Sequence, residues 1–142
     1  VARMFSHIFV GVSNFDRALH FYRHVMAALG VPERFWEHGR PWAGWQTPGT
    51  GRPLFLVGAP YDGHGHQAGN GQMIAFSAAD RTTVEKVYHA ALANGGTSEG
   101  APGLRPEYHA NYHGAYFRDP DGNKLCVVCH SVPGEPDVPR DA

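Results

Sequence analysis

The run Ser6-His7-Ile8-Phe9-Val10-Gly11-Val12 is followed by Asn14, by Phe15, Ala18, Leu19, Tyr22, Val25, Met26 and Leu29 at helical spacing, and by Gly30. This stretch decides the fold, because the chain carries its pattern twice. The β-branched and aromatic opening predicts a strand. Period-two alternation puts His7, Phe9 and Gly11 on one face and Ile8, Val10 and Val12 on the other. Asn14 is suited to cap a helix, and Gly30 followed by Pro32 is suited to stop it. A shift of 66 positions lays His7 on Met73, Asn14 on Asp80, Ala18 on Val84, Phe21 on Val87, Tyr22 on Tyr88 and Gly30 on Gly96. Strand, cap, helix and stop all superpose, so the chain is a duplicated unit.

The remaining residues complete each copy. Short strands are expected around 33–38, 42–47 and 53–58. Residues 59–71 are rich in Gly and Pro and read as a linker or mobile loop, with His64 and His66 solvated. A strand follows at 72–76. Asp80 caps a second helix carrying Val84, Val87, Tyr88, Ala91 and Leu92, which Gly95-Gly96 ends. Residues 97–111 read as a loop with at most a short strand. Strands Tyr112 to Arg118 and Lys124 to His130 are joined by Asp119-Pro120-Asp121-Gly122-Asn123, a strong hairpin signal. The expected organisation is one domain over 1–142: a first module at about 5–58, the linker, a second module at about 72–130, and a frayed tail from 131. Two such βαβββ sheets, each covered on one face by its helix, leave their other faces to curl around a shared cavity.

The bulk composition agrees with that reading. Of 142 residues, 42% are hydrophobic and 18% charged, enough apolar content for one packed core. A net charge of −1 argues against broad nucleic-acid or anionic-membrane binding. No apolar run approaches the roughly 18 residues of a membrane span, and no signal peptide is evident. Two cysteines exclude a disulfide framework and fit a reducing, cytoplasmic setting. Met4 and Val1 both stand as candidate starts.

Ser6-His7-Ile8 with Asp16-Arg17-Ala18 and Phe21-Tyr22 carry one half of a family resemblance. Ala75-Phe76, Asp80-Arg81, Val84, Pro102-Gly103-Leu104-Arg105, Tyr108, Tyr112 and Asp119 to Lys124 carry the other. Together, over about 5–130, the chain resembles the vicinal oxygen chelate superfamily of glyoxalase I, extradiol dioxygenases and bleomycin-resistance proteins. The resemblance implies an α+β fold: paired βαβββ modules in a cupped, eight-stranded mixed sheet with flanking helices. It implies a small-molecule ligand in the cup and a homodimer. It also implies a divalent metal, whose ligand positions carry over to His7, Phe55, Met73 and Cys126. Of these only His7 is an ordinary ligand for a hard divalent ion. The family metal site therefore reads as degraded, and no cofactor is expected.

The candidate catalytic residues are His7, as an imidazole acid or base, and Cys126, as a nucleophile. His7, Met73, Arg105, Tyr108, Tyr112, Cys126 and Trp45 are the candidate ligand-binding residues. Arg105 is suited to hold a carboxylate, with the Tyr/His cluster of 108–113 around it. Trp42 and Trp45, three apart, fall on opposite faces of a strand, so one of them is expected to wall the pocket. The expected pocket is the second cup. Cys126 and Cys129 also point to opposite faces and do not form a chelating pair. Two functions stand. One is a lactoylglutathione lyase-like or dioxygenase-like enzyme. The other is a protein that sequesters a small organic molecule without turning it over.

Overall fold

A computed structural model describes residues 3–135. The tail expected to fray lies beyond Glu135 for the most part, outside the described residues. The first module comprises β1 (His7–Gly11), α1 (Phe15–Leu29), β2 (Glu33–Glu37), β3 (Trp42–Gln46) and β4 (Leu54–Gly58). The second comprises β5 (Ile74–Ser77), α2 (Arg81–Ala93), β6 (Thr97–Leu104), β7 (His113–Arg118) and β8 (Lys124–Cys129). The eight strands divide into two four-stranded sheets of identical topology, β1-β4-β3-β2 and β5-β8-β7-β6. In each, the first strand runs parallel to the last and the other pairs are antiparallel. These are the paired βαβββ modules of an α+β fold.

The helices form where capping chemistry sets them. Asn14 Oδ1 accepts the Arg17 N–H at 3.1 Å and Asp80 Oδ1 accepts the Thr83 N–H at 2.7 Å. Gly30, at φ 84°, ends α1 by donating to Met26 and Ala27 carbonyls. Each helix lays its apolar stripe on one face of its own sheet. Beneath α1 lie Ile8, Val10, Ala43, Trp45, Phe55 and Val57, and beneath α2 lie Phe76, Ala115, Phe117, Leu125 and Val127. The helices also touch each other, and Phe55 meets Phe76 edge-on at 5.1 Å, so the two cores are one. Among the described residues, the opposite face of each sheet carries no helix.

Residues 97–111 depart from the loop expected there. β6 takes eight of them, as an edge strand interrupted by register shifts at Ser98/Gly100 and Gly100/Gly103. Gly100, Pro102 and Gly103 hide a strand from any propensity argument, because they have low β-propensity and mark bulges. The linker is also more tied down than expected. His66 Nε2 lies 2.8 Å from Asn123 Oδ1, while Asn123 Nδ2 donates to the Gly11 carbonyl and to Asp119. His64 behaves as expected, exposed and paired with Asp62.

The β7–β8 turn joins the modules. Asp119 is 3% exposed, and its carboxylate accepts the Tyr22 hydroxyl at 2.6 Å, the Asp121 and Asn123 N–H groups at 2.9 Å each, and Asn123 Nδ2 at 2.8 Å. Asp121 accepts the Ser13 N–H and an Arg17 N–H at the start of α1. Burial and the neighbouring carboxylate raise the Tyr22 hydroxyl well above its ordinary range, so it stays a donor. Tyr22→Phe is therefore expected to lower stability by about 1.5–3 kcal/mol, the range for a hydrogen bond to a charged group. The shift of the urea unfolding midpoint measures it.

Candidate functional site

The face of each sheet away from its helix is where side chains remain free to meet a ligand. On the first sheet, His7, Phe9 and Gly11 pair with Leu54, Leu56 and Gly58, and these with Gln46, Gly44 and Trp42. A cavity of about 590 Å³ opens on this face, lined by His7, Phe9, Trp42, Leu56 and Tyr61 with Arg40 at its edge. Such a volume lies within the roughly 300–1,000 Å³ of small-molecule sites. Trp42 is its fixed wall. Phe35 packs edge-on against it at 4.6 Å and the Arg40 guanidinium lies over it at 4.7 Å. Its indole Nε1 is buried and has no hydrogen-bond partner among the described residues. Buried donors are seldom left so.

On the second sheet the corresponding face has another chemistry. Tyr112 OH lies 2.9 Å from Tyr116 OH and 3.6 Å from Cys126 Sγ. Tyr108 packs against Tyr112 at 4.8 Å. Arg105 and Lys124 lie over the Tyr116 ring at 5.6 and 5.8 Å. Burial, then the hydrogen bond to Tyr116, pushes the Tyr112 hydroxyl far up; burial raises Tyr116 and the Cys126 thiol as well. All three are neutral hydrogen donors near pH 7. Between the two sheets, a smaller cavity of about 300 Å³ is bordered by Phe9, Gly11, His66, Gln72, Met73 and Lys124.

The expected site residues are thus spread over several places. Arg105, Tyr108, Tyr112 and Cys126 come together on the second sheet. His7 lies instead in the aromatic cavity of the first sheet, and Met73 on the cavity between the sheets, one residue before β5. Trp45 is a correction: it is 1% exposed, packed in the core against Tyr22 and Phe55, and Trp42 is the pocket wall. Phe55 is another. It faces the helix side, and the strand pairing makes it the counterpart of Leu125, not of Cys126. Sequence reasoning also passed over Arg40, Tyr61 and Lys124. For Lys124 the signal was available, since it shares a strand face with Cys126.

His113 faces α2, away from Tyr112 and Tyr116. It is buried, and its Nδ1 has no hydrogen-bond partner among the described residues. Burial and then the Arg81 charge hold its imidazole below the ordinary value of 6.5, with Arg105 adding to this and Glu85 opposing it. The folded state therefore binds fewer protons than the unfolded chain. The resulting stability is full above the ordinary histidine range and is lost as pH falls through the lower folded value. His113→Phe is expected to flatten the acid side of a melting-temperature profile taken from pH 7.5 down to about 5.

The sequence model of the Glyoxalase/Bleomycin resistance protein/Dioxygenase superfamily matches residues 4–127. The chain belongs to this superfamily. Solved structures agree. A glyoxalase/bleomycin resistance protein from Albidiferax ferrireducens T118 is 30% identical, with TM-score 0.78 over 91% of this chain and 100% of its own. A glyoxalase/bleomycin resistance protein/dioxygenase family enzyme from Burkholderia phytofirmans PsJN is 20% identical, with TM-score 0.66 over 89% and 98%. A lactoylglutathione lyase from Agrobacterium tumefaciens is likewise 20% identical, with TM-score 0.62 over 95% and 98%. No curated protein gives a significant match. No helix among the described residues is long and apolar enough to cross a membrane.

Within this superfamily fold the nucleophile reading of Cys126 fares poorly. A thiol must ionise to attack, and burial holds this one protonated. Cys126 and Cys129 are both free and buried, at 0% and 1% exposure. Neither is expected to react with a thiol reagent such as dithionitrobenzoate in the folded protein at pH 7.5. Full reaction of both is expected in denaturant, followed by absorbance.

Proposed function

We propose that this protein binds a small, flat organic molecule in the aromatic cavity of its first sheet. The open cavity of about 590 Å³ with its aromatic and aliphatic walls carries the reading. It favours a ligand with a flat aromatic or aliphatic body. Phe9, Trp42, Leu56 and Tyr61 supply the apolar surface, and His7 and Arg40 the polar edge. The neutral dye N-phenyl-1-naphthylamine is a suitable probe. Its emission is expected to rise on saturable binding, and Trp42→Ala to weaken that binding about tenfold. That is the size expected for losing a large buried aromatic contact. Unchanged titration in Trp42→Ala would refute the assignment.

The superfamily's divalent metal does not fit the residues present, and we read the site as metal-free. The His7 position shares its strand face with Leu54, Leu56 and Phe9, and the Met73 position with Ala75, Lys124 and Cys126. The thiol is protonated, and Arg105 and Lys124 bring positive charge to it. An arrangement of this kind repels a hard cation and offers too few donors. Elemental analysis of the purified protein is expected to find no stoichiometric zinc, nickel, iron or manganese. Stoichiometric metal that disappears in His7→Ala would overturn the reading.

Binding without turnover is thus the function best supported. The catalytic alternative rests on His7 as a metal-free base at the cavity edge. Turnover of a ligand, abolished by His7→Ala with binding intact, would favour it. The family resemblance also supports a homodimer, which sedimentation equilibrium tests directly.

A further inference from the structure

We infer that the second sheet carries a separate seat for an organic anion, with Arg105 and Lys124 as its clamp and the Tyr116 ring as its platform. It lies on the other sheet from the aromatic cavity and does not rest on that assignment.

The seat is written into the glycines of β6. Arg105 follows β6 and folds back across the helix-free face of that strand. A Cβ at Gly100 would come 3.3 Å from Arg105 Nη2, and one at Gly103 would come 3.1 Å from Nη1. The guanidinium therefore occupies the room that two missing side chains leave. One N–H is spent on the Ala101 carbonyl at 2.8 Å, which fixes the group without neutralising it. The same device places Tyr112, since a Cβ at Gly114 would lie 3.0 Å from its ring. Both groups are held against the sheet rather than extended into solvent, so little ordering remains to be done on binding.

The charge at this place is unbalanced. Arg105 and Lys124 approach one ring, that of Tyr116, and both act on Cys126 below it. Neither makes an ion pair with a carboxylate among the described residues. Glu99 faces Lys124 but is held by Arg118 at 2.6 Å. Arg105, Lys124 and Arg118 against Glu99 leave an excess of two positive charges. The neighbouring Tyr112, Tyr116 and Cys126 are uncharged, and their two mutual hydrogen bonds leave one of their three hydrogens to donate. Two cations, an uncharged donor and a flat ring together recognise a carboxylate or phosphate attached to an apolar or aromatic body.

Calorimetric titration with benzoate, phenyl phosphate and neutral benzyl alcohol tests this. At least one of the two anions is expected to bind saturably, and which one tells whether the seat prefers carboxylate or phosphate. In the Trp42→Ala protein, where the aromatic cavity has lost its wall, benzyl alcohol is expected to bind at least tenfold more weakly than the anion. Arg105→Ala and Lys124→Ala are each expected to weaken the anion about tenfold or more, in line with loss of a charge-assisted contact. Gly103→Val keeps Arg105 but fills its bed, and is expected to weaken the anion similarly, with an unchanged melting temperature showing the fold intact. Trp42→Ala is expected to leave anion binding unchanged, which separates this seat from the aromatic cavity. Failure of both anions to bind, binding of benzyl alcohol to the Trp42→Ala protein as tight as the anions, or anion affinity unaffected by Arg105→Ala and Lys124→Ala would each overturn the proposal. Loss of anion binding in Trp42→Ala would do so too.

Discussion

The Asp119 carboxylate is the point on which the two modules depend. It sits almost fully buried at the β7–β8 turn and is surrounded by donors: a tyrosine hydroxyl from the other module, two backbone N–H groups of its own turn and a side-chain amide. A buried carboxylate is tolerable only with its lone pairs engaged, and here the engagement itself spans the modules. Asn123, oriented by that carboxylate, then holds the Gly11 carbonyl and His66. One short turn thereby fixes the second sheet against α1, the end of β1 and the linker. The cavity between the sheets takes its shape from that arrangement.

Fusion of the cores adds area to this polar joint. Phe21 approaches Phe117 across the modules, and Phe55 approaches Phe76. Dispersion and burial supply most of the cohesion, as in any packed interior, but they are weakly directional. The hydrogen bonds around Asp119 set register where the aromatic contacts alone would allow sliding. Apolar packing and directional polar contacts thus divide the task. With the helices on one side only, the remaining sheet faces are left for ligands.

Much of this architecture could be read from local chemistry. Asn14, Asp80 and Gly30 act at the caps as their side chains or lack of one require. The 66-residue repeat maps onto two sheets of identical strand order. β6 was obscured because Gly100, Pro102 and Gly103 weaken every strand signal while serving to seat Arg105. The candidate site was less legible. Alternation separates Trp42 from Trp45 but cannot say which side the helix takes. The companions of each residue hold the answer: Ala43 and Trp45 are both apolar, whereas Gly44 and Gln46 accompany Trp42. Phe55 was misassigned for a different reason. A match to a family position fixes a strand to within a residue, and a slip of one residue exchanges its faces. His66 looked solvated because Asn123, its hydrogen-bond partner, and Gly11, against which its ring lies, are distant in sequence.

Duplication has kept the frame of the two modules and let their free faces diverge. The constraint on the helix-covered faces is shared, since each must fill the same kind of space with apolar side chains, and Tyr22 and Tyr88 still stand at matching places. The helix-free faces carry no such demand. On the first, Gly44 and Gly58 give room to Phe35 and to Trp42 with Phe9, and the surface becomes aromatic and nearly uncharged. On the second, Gly100, Gly103 and Gly114 give room to a guanidinium and a phenol, and the surface becomes cationic with hydroxyl donors. Glycines at these strand positions cost some β-propensity, yet they let a long side chain from a neighbouring segment lie flat on the sheet. The identity of that borrowed side chain then sets the polarity of the face without disturbing the strands beneath it.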